Sequence, residues 1–123
     1  MFRIVSLVVA AATLGTVAAP AMAQQPAEVG YQPGALGVSA ILQGNYSQAE
    51  AQLAALQGVQ SDDPARLLNL GQVYQRTGRM AEAAAAYRAA RDSRHPFDVV
   101  LASGKVMSTR DVALIALKRI GAQ

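Results

Sequence analysis

The sequence predicts a mainly α-helical fold in which antiparallel helix-turn-helix units stack side by side, followed by a short β-hairpin and a terminal helix that caps the stack. Three observations support this prediction. Alanine is the commonest residue and only 5% of residues are aromatic, so the core is expected to form between helices that approach closely. Apolar residues recur at helical spacing, and several recur again at one longer, constant period. The chain has no cysteine, which excludes a disulfide framework and a thiolate zinc site.

Residues 1–23 have the features of a leader for export. A basic start with Arg3 precedes an uncharged apolar run over residues 4–14, and Ala21-Met22-Ala23 supplies small residues at a cleavage site. A retained membrane anchor is the alternative, because residues 4–23 carry no charge and are about long enough to span a bilayer. We expect a signal peptide over residues 1–23 that is cleaved after Ala23, which would leave the mature protein in a bacterial periplasm.

A flexible tether and one helical domain are expected after the leader. Residues 24–33 are polar and contain proline and glycine, so they are predicted to be the tether, and residues 34–123 are predicted to form the domain. Between residues 30–63 and residues 64–97, five positions recur at the same offset. The pairs are Leu36 and Leu70, Gly37 and Gly71, Gly44 and Gly78, Ala49 and Ala83, and Leu53 and Tyr87. Such a period indicates two copies of one structural unit.

The second unit carries the clearest helix signals. Asp63 is predicted to cap a helix that begins at Pro64 and ends near Thr77, and Gly78 is predicted to end it by adopting a left-handed conformation. A second helix is expected over residues 79–91. Its predicted apolar stripe comprises Met80, Ala83, Ala84, Tyr87 and Ala90.

The first unit is expected to have a shorter first helix. Pro33 and Gly34 stand where this helix would otherwise begin, so the helix is predicted over about residues 35–43.

Residues 98–123 depart from the repeat. A β-hairpin is predicted over residues 97–107, where β-branched and apolar residues flank a Ser-Gly turn; the frayed first helix of a third unit is the alternative. Ser108 is predicted to cap a final helix over residues 110–120. This helix has little polar face. The hairpin and this helix are expected to supply the missing cap of the stack; if they do not, a partner or a second copy of the chain must cover the apolar residues of the helix. The residues in question are Leu114, Leu117 and Ile120.

The second unit resembles a tetratricopeptide repeat, a helix-turn-helix module of about 34 residues. The residues that carry the resemblance are Leu67, Leu70-Gly71, Tyr74, Gly78, Ala83, Tyr87 and Ala90. Residues 30–63 are a degenerate match. The resemblance implies a non-enzymatic scaffold or adaptor that binds another protein or peptide in a groove lined by the first helix. The groove residues that it implies are Leu68, Asn69, Gln72, Gln75 and Arg76; the alternative is that they are simply the polar side of the first helix.

A basic patch is the second candidate site. Its residues are Arg88, Arg91 and Arg94, and the alternatives for it are a solvated helix face or contact with anionic groups, as in an envelope- or membrane-peripheral structural protein. His95 and the pair Asp62-Asp63 are given no catalytic role, because no phosphate loop, nucleophile elbow or metal motif occurs in the sequence. We therefore expect no enzymatic activity, no cofactor, no metal and no nucleic-acid partner.

Overall fold

The computed structural model describes residues 5–7, 30–101 and 103–122, and for residues 5–7 it describes the backbone alone. The predicted leader therefore lies outside the described residues except for these three, and the predicted tether lies outside them up to residue 29. The helices of the described residues are α1 (Val38–Leu42), α2 (Tyr46–Ala54), α3 (Pro64–Arg76), α4 (Met80–Arg91) and α5 (Thr109–Arg119). The strands are β1 (Val5–Leu7), β2 (Asp98–Leu101) and β3 (Val106–Ser108). The prediction of a mainly α-helical fold with a small sheet is confirmed.

The helices pack in chain order, each against the one before it, and α5 also contacts α3. One cluster of buried side chains fills the space among α1, α2 and α3, with additions from α4. A second cluster lies among α3, α4, α5 and β2. Tyr74 packs against both clusters, so the two halves of the core meet at α3.

The turns after α1 and α3 have the same hydrogen bonds at equivalent positions of the two units. After α1, the Gly44 amide donates to the Ile41 carbonyl at 3.0 Å and the Asn45 amide to the Ala40 carbonyl at 2.8 Å. After α3, the corresponding bonds are Gly78 to Gln75 at 3.2 Å and Arg79 to Tyr74 at 2.8 Å. Both glycines adopt the left-handed conformation, with φ of 73° and 77°. This is the pair of bonds that a Schellman turn uses to satisfy the last carbonyls of a helix.

Small residues allow the two helices of each unit to approach closely. A Cβ atom on Gly71 in α3 would lie 2.4 Å from Cε1 of Tyr87 in α4. In the first unit, a Cβ atom on Gly37 would lie 3.2 Å from the carbonyl oxygen of Ala49. Helices α3 and α4 therefore cross closely at Gly71, in contact with the ring of Tyr87.

Helix α3 begins where the sequence predicts. The Asp63 carboxylate accepts hydrogen bonds from the amides of Ala65 at 2.9 Å and Arg66 at 3.1 Å, which satisfies two of the amides that a helix start leaves free. The hydroxyl of Tyr31 donates to the same carboxylate at 2.9 Å. Tyr31 also packs against the core, so this part of the predicted tether is attached to the domain.

The predicted hairpin is confirmed, which rules out the helical alternative for these residues. Strands β2 and β3 are antiparallel, with Val99 opposite Met107. Strand β1 pairs with β2 in parallel, with Val5 opposite Val99, so the sheet order is β1-β2-β3. The predicted cap of α5 is also confirmed, since the Ser108 hydroxyl accepts from the Asp111 amide at 3.1 Å.

Two sequence predictions about helix positions are corrected. Helix α1 begins at Val38 rather than at residue 35, because Gly37 takes a left-handed φ of 63° and the preceding residues form turns. Met80 does not join the apolar stripe of α4: it is 48% exposed, since it lies at the first residue of the helix, beyond the contact with α3.

The apolar residues of α5 differ in how far the described residues cover them. Leu117 is buried and Ile120 packs against the core, so neither needs another chain to cover it. Leu114 and its neighbour Ile115 remain exposed, at 47% and 38%.

Candidate binding surface

The structure buries two of the five predicted groove residues. Leu68 and Asn69 are each 2% exposed, because α3 is surrounded by several neighbouring elements. The Asn69 amide nitrogen donates a hydrogen bond of 2.9 Å to the carbonyl oxygen of Leu36, which joins the two units inside the protein. These two residues are therefore core residues and not part of an open groove.

The other three groove residues reach the surface at the carboxyl end of α3. Gln72 and Gln75 are half-buried, and Arg76 is exposed. The side-chain oxygen of Gln75 accepts a hydrogen bond of 2.9 Å from the hydroxyl of Tyr87. This bond joins the candidate surface to the ring that packs against Gly71.

Two arginines from different helices affect the pKa of the Tyr87 hydroxyl. Burial raises the pKa of Tyr87 to about 12, and the positive charges of Arg76 and Arg119 oppose this rise. Arg76 lies in the last turn of α3 and Arg119 in the last turn of α5. The ends of these two helices therefore bring two guanidinium groups into the electrostatic environment of one buried hydroxyl. We call Gln72, Gln75, Arg76 and Arg119 the α3–α5 surface.

Arg119 was not among the residues that the sequence patterns indicated. A signal was present, because Arg119 stands two residues before Gly121 as Arg76 stands two residues before Gly78. Gly121 also ends its helix with the same turn: its amide donates to the Lys118 carbonyl at 3.2 Å, and the Ala122 amide to the Leu117 carbonyl at 2.9 Å. The equivalence of α3 and α5 is clear only when the turns are compared.

The Arg79 side chain contacts residues of three helices. Its guanidinium contacts the Glu50 carboxylate of α2 at 2.9 Å and the Glu82 carboxylate of α4, and it lies 4.4 Å from the centre of the Tyr74 ring. The hydrogen bond from Arg79 lowers the pKa of the Glu82 carboxyl. This cation therefore belongs to the contacts that hold α2, α3 and α4 together.

Arg66 is similarly engaged with the backbone. It donates to the carbonyl oxygens of Leu53 at 2.9 Å and Ser61 at 3.0 Å, at the end of α2 and in the following loop. Of the arginines in the second unit, Arg66 and Arg79 thus fix the packing of neighbouring elements.

The predicted basic patch does not form one continuous row. Arg91 is paired with the Asp92 carboxylate at 2.8 Å, and this hydrogen bond lowers the pKa of Asp92. Arg94 lies beyond the end of α4, so it does not extend the helical face that carries Arg88. The region also holds Arg110, which donates to the carbonyl oxygens of Arg91 and Ser93.

The described part of the chain contains neither a metal-binding cluster nor a membrane-spanning helix. There, no group of three or more histidine, aspartate or glutamate residues is arranged to hold a metal ion. None of the helices over residues 30–101 and 103–122 has the length and hydropathy needed to cross a bilayer. His95 is exposed in the connector after α4, and its amide donates to the Ser93 hydroxyl at 3.3 Å.

Comparison with known proteins found no matching family model, no similar curated protein and no similar solved structure.

Proposed function

We propose that this protein is an exported, non-enzymatic helical module of the tetratricopeptide type that binds a segment of another protein in the bacterial periplasm. The bound segment is acidic and extended, and it lies on the α3–α5 surface. The protein acts as a scaffold or adaptor, and its binding requires no cofactor.

The single observation that carries the proposal is the repeated turn. Two hydrogen bonds, a left-handed glycine and a buried second-helix alanine recur at equivalent positions of the two units. Ala49 in α2 and Ala83 in α4 are both fully buried. A repeat with this spacing and connectivity is typical of proteins that present first helices to a bound peptide.

The charge of the α3–α5 surface supports an acidic ligand. Arg76 lies in the last turn of α3 and Arg119 in the last turn of α5, two helices that contact each other, and the positive charges of both oppose the rise in the pKa of Tyr87. Guanidinium groups bind carboxylates with two parallel hydrogen bonds, which adds geometric specificity to the charge. The half-buried amides of Gln72 and Gln75 add groups that can pair with a peptide backbone.

Export is supported by the order of basic start, apolar run and small-residue cleavage site in residues 1–23. Mass spectrometry of the protein recovered from an exporting bacterium is expected to give an amino terminus at Gln24. Recovery of an intact amino terminus in the membrane fraction would instead favour the anchored alternative.

Site-specific photocrosslinking tests the binding surface. A photoreactive residue at Gln72 is expected to give discrete adducts in the cell envelope, whereas the same residue at the exposed Ala89 of α4 is the matched control. Arg119→Glu should abolish the Gln72 adducts by repelling an acidic segment, and Arg94→Glu should leave them unchanged. Identical adducts from both positions, or adducts that survive Arg119→Glu, would contradict the proposal.

A further inference from the structure

Helix α5 has a solvent face that is opposite to its core face. Val112, Ala113 and Leu117 are buried. The residues at helical spacing on the other side are exposed, and they are Asp111, Leu114, Ile115 and Lys118. We call these four residues the outer face of α5. It consists of two apolar side chains between an acidic and a basic one.

The position of this face in the fold indicates that it is suited to packing against another helix. Helices α1, α3 and α5 end with the same glycine turn, at Gly44, Gly78 and Gly121. Leu114 lies seven residues before Gly121, as Gly71 lies seven residues before Gly78. In the second unit, this position contacts α4, the antiparallel second helix. Leu114 is 47% exposed, so no element of the described residues covers it fully.

The outer face is complementary to itself when two copies pack in antiparallel orientation. A two-fold axis between positions 114 and 115 would bring Leu114 of one copy beside Ile115 of the other. The same axis would bring the Asp111 carboxylate of each copy beside the Lys118 ammonium of the other. Neither group forms an ion pair within the described residues. Such a self-complementary patch is what a two-fold symmetric interface requires.

The flanks of the face do not oppose this pairing. Arg110 is turned toward α4, where it donates to the carbonyl oxygens of Arg91 and Ser93. By helical spacing, Arg119 lies on the other flank. In a two-fold antiparallel pair these two arginines project to opposite sides of the contact, so they do not meet across it.

We infer that a second copy of this chain covers the outer face of α5, forming an antiparallel α5–α5 dimer with two Asp111–Lys118 ion pairs. This inference does not depend on the partner binding proposed above, because the outer face of α5 shares no residue with the α3–α5 surface. A helix of 11 residues buries less surface than the roughly 1,200–2,000 Å² of a standard interface, so the dimer is weak. It should therefore be sought at concentrations of about 0.1 mM.

Charge exchange tests the inference. The processed protein, recovered from exporting cells, is studied by sedimentation equilibrium as wild type and as Asp111→Lys and Lys118→Asp variants. Each single variant places like charges opposite each other and should weaken dimerisation by at least about tenfold. The 1:1 mixture of the two variants pairs opposite charges at both ends and should restore dimers. The double variant Asp111→Lys/Lys118→Asp should also restore them.

A control variant and a fold measurement make the result decisive. Asp62→Lys changes the net charge by the same amount as Asp111→Lys, at an exposed residue outside α5, and should dimerise as the wild type does. Far-ultraviolet circular dichroism should show that all variants fold. A wild-type protein that stays monomeric to about 1 mM would overturn the inference. Single variants that dimerise as well as the wild type, or a mixture that stays monomeric, would do the same.

Discussion

The contact between Gly71 and Tyr87 decides whether Gly71→Ala raises or lowers the free energy of unfolding. In an exposed helix interior, Gly→Ala stabilises by about 1 kcal/mol, because alanine has the higher helix propensity. Here the added Cβ atom would lie 2.4, 2.6 and 2.9 Å from three atoms of the Tyr87 ring. Carbon atoms pack at about 3.5–4.0 Å, so the ring would have to move by roughly 1 Å.

The ring has little room to move. Tyr87 is 4% exposed, and its hydroxyl is held by the Gln75 side chain at 2.9 Å. Overpacking of a core costs about 1–3 kcal/mol, and loss of the hydrogen bond would add about 1 kcal/mol. After the propensity gain is subtracted, Gly71→Ala is expected to lower the free energy of unfolding by about 1–3 kcal/mol.

Urea denaturation followed by far-ultraviolet circular dichroism measures this difference. Ala85→Gly, at an exposed position of α4, measures the effect of helix propensity alone in this protein. It should lower the free energy of unfolding by about 0.5–1 kcal/mol. In a Tyr87→Ala background the clash is gone, so Gly71→Ala should become stabilising by up to about 1 kcal/mol. The inferred close packing is wrong if Gly71→Ala is as stable as the wild type. It is also wrong if the change in the free energy of unfolding caused by Gly71→Ala does not reverse its sign in the Tyr87→Ala background.

Three further predictions concern buried or capping polar groups. Asn69→Ala leaves the carbonyl of Leu36 without its partner and should cost roughly 1–3 kcal/mol in urea denaturation, whereas Gln72→Ala should cost clearly less. Asp63→Ala should cost about 1 kcal/mol by thermal denaturation through loss of the α3 cap, and equal stability of the variant would contradict this role. Because burial raises the pKa of Tyr87 to about 12, the folded state holds this proton more tightly than the unfolded state, whose pKa is about 10. Stability should therefore fall by about 2 kcal/mol between pH 10 and 12, and Tyr87→Phe should lack this part of the loss.

The features that the sequence predicted correctly are local ones. The cap at Asp63, the left-handed Gly78 and the cap at Ser108 each depend on a few adjacent residues. The hairpin likewise follows from a Ser-Gly turn between two β-branched segments. Such signals need no knowledge of what packs against the element.

The errors concern which face of a helix is buried. Helix α3 contacts neighbours before and after it in the chain, so Leu68 and Asn69 are enclosed although an amphipathic pattern leaves them outside the main stripe. The polar Asn69 is needed inside because its amide satisfies the Leu36 carbonyl, just before the left-handed Gly37. Periodicity within α3 carries no information about that distant carbonyl. For the same reason it could not distinguish Leu117, which packs inward, from Leu114, which does not.

The arginines show why a sum of charges is a poor guide to a binding surface. The second unit has a marked excess of positive residues. Arg66, however, donates a hydrogen bond to the backbone near the end of α2. Arg79 contacts the carboxylates of Glu50 and Glu82 and the ring of Tyr74. Both cations hold neighbouring elements together, and carboxylates partly neutralise Arg79, so they add less to an external field than their number suggests. The α3–α5 surface instead combines Arg76 with Arg119, which is distant in the chain, because two helices with equivalent final turns lie side by side. Comparison of the final turns of α3 and α5 relates these two arginines, whereas the local density of charge along the chain does not.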